Sequence, residues 1–214
     1  MKNIEIRKIT GISGITVYVL AMLVLPLYFI YSGPPPVSNI LTKSFANMFA
    51  TASLLVFITG FRQLIKESVP NSEWLATLCF NFGFAFVMTV FVSDAIQVGG
   101  VLGKEGGVDP TIVGAGAEGA ILLFGPIARL LTSAFLGLSS LAILRTKILP
   151  QWTALLGLLL SLFHLALVPT IFSGTITSYF YSINGLGIPI SGGLFTFWIL
   201  IVSIYLVSKK ANQR

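Results

Sequence analysis

The chain has 214 residues, 55% of them hydrophobic and only 9% charged, with a formal net charge of +6 and a mean hydropathy of +0.93. A soluble domain carries about 25% charged residues, so polar groups are too few to cover a water-soluble globule of this size. The composition excludes a soluble enzyme, a disordered protein and a nucleic-acid-binding domain, and makes lipid the expected solvent.

A helix crossing the hydrocarbon core needs about 20 mostly apolar residues, and the charged residues act as fences between such runs. The run after Lys8 ends at Gly33-Pro34-Pro35-Pro36, which predicts a first span over about 9–31. It is longer than a signal-peptide core and lacks a small-residue cleavage site, so it is expected to be retained as a helix. Lys43 and Arg62 bound a second span at 44–61, and Glu73 opens a third, read over 74–96. The fourth, 119–144, follows Glu118 and contains Arg129. No charge occurs between Lys147 and Lys209. That run is too long for one span, and it divides at the turn formers of Ser173–Gly187 into 152–172 and 187–208. Runs such as Leu20–Tyr31 and Leu155–Leu162 are continuously apolar, unlike the alternating strands of a membrane barrel. In lipid the backbone must then bond within each segment. The expected fold class is all-α: one domain, residues 1–214, forming a polytopic membrane bundle of six transmembrane helices.

Orientation follows from Lys and Arg. With both termini cytoplasmic, the inner segments hold ten of the 13 basic residues and the outer loops hold only Lys43 and Lys104. The net positive charge then faces an anionic inner leaflet, so membrane lipids are expected partners and nucleic acid is not. The inner turns are short: Lys66–Glu73, with Asn71 or Ser72 as a cap, and Arg145–Pro150, where Pro150 opens helix five. The outer segment Asp94–Glu118 is long and rich in glycine, which fits a flexible cover or a re-entrant piece. The Tyr179-Phe180-Tyr181 cluster fits an interfacial aromatic belt. Cys79 is the single cysteine, so no internal disulfide forms, and it reads as a packing residue.

Two stretches carry a resemblance. Thr10-Gly11-Ile12-Ser13-Gly14 opens the first helix ahead of the Gly33–Pro36 stop. Ala142–Trp152 then leads through a basic turn and Leu149-Pro150-Gln151-Trp152 into Leu155-Leu156-Gly157-Leu158. This resembles a family of small bacterial six-helix integral membrane proteins with no assigned activity. The resemblance implies the six-helix fold and a bacterial plasma membrane, and it carries over no site residue.

Ionisable groups inside a span are costly and mark functional or structural sites. Arg129 sits near the middle of span four and needs an interior position, a water cavity or an acid. Glu118 lies three helical turns earlier, within about 20° of the same face and about 16 Å away. Asp94, at the outer end of helix three, is the nearest class of partner. Three readings stay open here: an ion pair between helices, a ligand or ion site, and an Arg129 that snorkels. His164 is the only histidine, and it serves either as a hydrogen-bonded packing residue or as a proton relay. Asn81, Thr89, Ser93 and Gln97 add hydrogen-bonding groups along helix three.

Several chemistries are excluded. One histidine cannot supply a bis-histidine haem or a three-histidine zinc site, and HExxH is absent. No lysine lies in a confident span for a Schiff base, and GxSxG is missing. Gly114-Ala115-Gly116-Ala117-Glu118-Gly119 has the form of a dinucleotide motif but no preceding strand, so it reads as small-residue helix packing. No cofactor is expected. The favoured function is binding or transport of a small molecule, ion or lipid. Its outward-facing polar cavity would lie between helices three, four and five, lined by Asp94, Glu118, Arg129, His164 and Asn81. Proline in four spans (Pro26, Pro126, Pro169, Pro189) would allow bending. Against this stand a non-catalytic accessory subunit, docked through Gly99-x-x-x-Gly103-x-x-x-Gly107 or self-associating, and an intramembrane lipid-modifying enzyme.

Overall fold

The computed structural model describes residues 3–28, 30, 36–69, 72–102, 117–174, 179–183 and 185–208. Every regular element among them is helical, and six helices are long and apolar enough to cross a membrane. The first, α1 (Asn3–Val24), tightens into a 3-10 turn at Leu25–Tyr28. Next come α2 (Val37–Ser68) and α3 (Glu73–Leu102). The fourth is interrupted: α4 (Ala117–Leu122) passes through a π-helical turn, Leu123–Ile127, into α5 (Ala128–Thr146). Then α6 (Gln151–Ala166) leads into a 3-10 turn at Val168–Phe172, and α7 (Gly187–Ser208) completes the set. Lys8 and Lys43 lie within α1 and α2. A charge limits the apolar window, whereas a helix continues until its backbone bonding stops.

The helices form a closed sequential ring. α1 packs on α2, α2 on α3, α3 on α4 and α5, α5 on α6, α6 on α7, and α7 returns to α1. Small residues allow the closest approaches. A Cβ at Gly11 would meet the Ser203 carbonyl of α7 at 2.8 Å, and one at Gly60 of α2 would meet Thr10 of α1. Phe57, Phe61, Phe135, Leu136, Trp198 and Ile199 fill the interior. Ile12, Phe49, Leu155 and Leu159 stand on the exterior, as lipid-facing side chains would. Hydrogen bonds cross between helices as well. Trp198 Nε1 donates to the Thr153 carbonyl at 2.9 Å. Ser133 and Ser161 each donate to the other's carbonyl at 2.8 Å.

The bundle has two unlike ends. One is basic and tightly turned, with Arg7, Lys8, Arg62, Lys66, Arg145 and Lys147. There Lys66 and Glu73 pair at 2.5 Å across the α2–α3 turn. Lys147 takes a left-handed conformation (φ 52°) and closes α5 by donating its N–H to the Ile143 carbonyl. Pro150 caps α6 and accepts from Thr153. The other end, where α1, α3 and α6 finish and α2, α4 and α7 begin, carries the buried charged groups Lys43, Asp94 and Arg129.

Candidate functional site

At that end α2 presents Lys43, Asn47 and Thr51, each four residues apart and so on one face. Asn47 Nδ2 donates to Asp94 Oδ2 of α3 at 2.5 Å. A bond to an ionised acceptor is shorter and stronger than a neutral one. Lys43 lays its ammonium 4.3 Å from the centre of the Tyr28 ring, a cation–π contact that shelters the charge. Beside Asp94, Ser93 donates to the Ala120 carbonyl at 3.1 Å and so ties α3 to α4. Gln97 Nε2 reaches Ser93 Oγ at 3.4 Å.

The break in the fourth helix creates the setting for Arg129. Pro126 has no N–H to donate, and Gly125 leaves helical geometry altogether (φ −83°, ψ −109°). Only glycine fits there, because a Cβ would stand 2.9 Å from the Ile183 carbonyl. Arg129, 2% exposed, lies one turn beyond. Its Nη2 reaches the Phe124 carbonyl at 3.4 Å, and its Nη1 donates to Ser191 Oγ of α7 at 2.6 Å. Ser191 in turn donates to the Ile188 carbonyl at 2.8 Å. Arg129 Nε has no hydrogen-bond partner among the described residues. Among the described residues no carboxylate forms an ion pair with Arg129; Asp94 is engaged by Asn47 instead.

A cavity of about 110 Å³ opens here, bounded by α1, α2, α3, α7 and the Phe124–Arg129 segment. Its walls are mainly apolar, with Val17, Leu54, Phe86, Val90 and Phe195. Tyr28, Asn47, Thr51, Arg129 and Thr196 form its polar part. Gly192 and Gly193 of α7 leave the space open: a Cβ on Gly193 would meet nothing within 4 Å. Among the described residues no cluster of His, Cys, Asp or Glu is arranged to hold a metal.

The five residues expected at the site fall into four groups. Arg129 and Asp94 come to the same end of the bundle, Arg129 in the cavity wall and Asp94 behind Asn47. His164, on α6, is fully buried between the Phe163 and Phe195 rings, 6.3 Å from each. Among the described residues neither ring nitrogen makes a well-formed hydrogen bond, although the Ser191 main chain lies beside the ring. Asn81 points to the exterior of α3, away from the cavity. Glu118 belongs to α4, and its side chain lies outside the described residues, so the straight-helix register between Glu118 and Arg129 ends at Gly125. The glycine-rich segment 103–116 and most of both glycine motifs also lie outside the described residues. The cavity is walled by the first, second and seventh helices as well as the third and fourth. Tyr28 and Asn47 in its wall, and Lys43 and Ser191 beside them, were not expected at this site. The spacing of Lys43, Asn47 and Thr51 is a polar stripe on one helix face, a signal that places Lys43 on the helix rather than in a loop.

Comparison with protein-family models, curated proteins and solved structures gives no match. The roles of these residues therefore rest on their geometry and chemistry.

Proposed function

We propose that this is a multi-pass protein of the bacterial plasma membrane, with cytoplasmic termini, that binds a small molecule in the cavity beside Arg129. The observation that carries the reading is the arginine itself. A guanidinium has five N–H donors, and among the described residues only two hydrogen bonds, to Ser191 Oγ and the Phe124 carbonyl, engage it, beside a cation–π contact with the Phe124 ring. A mid-bundle cation is expensive unless it serves a pathway, a partner or a ligand. Here it borders an apolar cavity with a few converging polar groups, the usual character of a ligand site. The basic end, rich in Lys and Arg, suits the cytoplasmic face. Exposed Trp74 and Trp152 near that end suit the lipid interface.

Native mass spectrometry of the detergent-purified protein tests this. The expected result is a bound small molecule, released in Arg129→Ala while circular dichroism and elution volume stay the same. Wild-type protein that carries no added mass and gains none when offered membrane extracts would overturn the reading in favour of a non-catalytic subunit.

A further inference from the structure

We infer that the ligand is a monoanion with a short apolar body, a carboxylate in chemical class, held with its head at Arg129. The inference rests on the cavity reading above and specifies its occupant. Lys43, Asp94 and Arg129 are 7%, 5% and 2% exposed. Two are cations and one is an anion, so the described part of the cluster holds one uncompensated positive charge. Burying such a charge costs several kcal/mol unless it is paired. A monoanion balances it, a phosphate dianion reverses the excess, and an amine adds to it.

Shape narrows the class further. The planar guanidinium fork matches the two oxygens of a carboxylate, and Ser191 holds that fork from the α7 side at 2.6 Å. Val17, Leu54, Phe86 and Val90 would cover an alkyl body. Size sets its length. The cavity measures about 110 Å³. An apolar cavity of about 150 Å³ accepts benzene, so the part of the occupant inside the cavity has about four to seven non-hydrogen atoms. Butanoate falls in that range.

Calorimetric titration of the full-length protein in detergent is the test, with butanoate, butanamide, butylamine and inorganic phosphate as probes. Butanoate is expected to bind, and butanamide to bind at least about tenfold more weakly, the loss that goes with one charge-assisted bond. Arg129→Gln should remove the preference for butanoate and leave butanamide unchanged, and Arg129→Lys should retain part of it. Glu118→Gln should change butanoate affinity by less than about threefold if Lys43, Asp94 and Arg129 set the charge balance; a tenfold gain would overturn the inference. Equal binding of butanoate and butanamide would overturn the anion and preserve the cavity. Tighter binding of phosphate or butylamine would overturn the carboxylate class. No binding by any probe would overturn the inference, and the cavity reading falls with it only if native mass spectrometry also finds no bound molecule.

Discussion

The Asn47–Asp94 hydrogen bond joins α2 to α3 at 2.5 Å, and its strength can be predicted from its surroundings. Interhelical hydrogen bonds between neutral side chains in membrane proteins average about 0.6 kcal/mol. A bond to a charged group contributes about 1.5–3 kcal/mol. Asp94 is buried, and with its carboxylate ionised as the acceptor the larger range applies. A double-mutant cycle of Asn47→Ala and Asp94→Ala should therefore give a coupling of about 1.5–3 kcal/mol. The single variants should also differ. Asp94→Ala leaves Lys43 buried without its nearby anion, so it should destabilise more than Asn47→Ala. The assay is reversible unfolding of the four proteins in mixed detergent micelles, followed by circular dichroism. A coupling under about 0.5 kcal/mol, or the reverse order of the single variants, would refute this reasoning.

Three other expectations follow from the packing. Gly60→Val places a branched side chain against Thr10 at the α1–α2 contact, and overpacking of this kind costs about 1–3 kcal/mol, measurable in the same unfolding assay. Trp198→Phe keeps most of the buried ring but removes the bond to the Thr153 carbonyl; it should cost about 0.6–1.7 kcal/mol without altering the helix content. For orientation, Cys79 is 1% exposed and gives little background labelling. Cysteines introduced at Thr146 and Ile30 should react with impermeant maleimide in inside-out vesicles and intact cells respectively; the opposite pattern would invert the topology.

The helix count was legible because lipid demands long apolar runs, and the interruptions between them are charged or rich in turn formers. Arg129 was legible for the same reason: a mid-span charge stands out against an apolar background. Its partners were not. The helices are apolar on nearly every side, so periodicity cannot tell the face that meets Ser191 from the face that meets lipid. Lys43 shows how a charge can mislead. Taken as a loop boundary, it hides the stripe it forms with Asn47 and Thr51. Asn81 fails in the opposite way, since a polar residue in an apolar helix suggests the interior and this one lies outside. The return of α7 to α1 through Gly11 and Ser203 joins the two ends of the chain, and no local pattern announces a contact of that range. The Gly125–Pro126 break was half visible: the proline suggests a bend, but the close Ile183 carbonyl that excludes any side chain at Gly125 comes from a distant segment.

The central claim is that the cavity beside Arg129 is a binding site, and filling it without touching the arginine is the most direct test. Gly193 lines the cavity, and a Cβ there meets nothing within 4 Å, so Gly193→Leu starts its side chain in open space on the cavity wall. The account predicts a normally folded protein, with wild-type elution and helix content, that no longer carries a bound small molecule in native mass spectrometry. A Gly193→Leu protein that keeps the same bound mass at the same occupancy would contradict it.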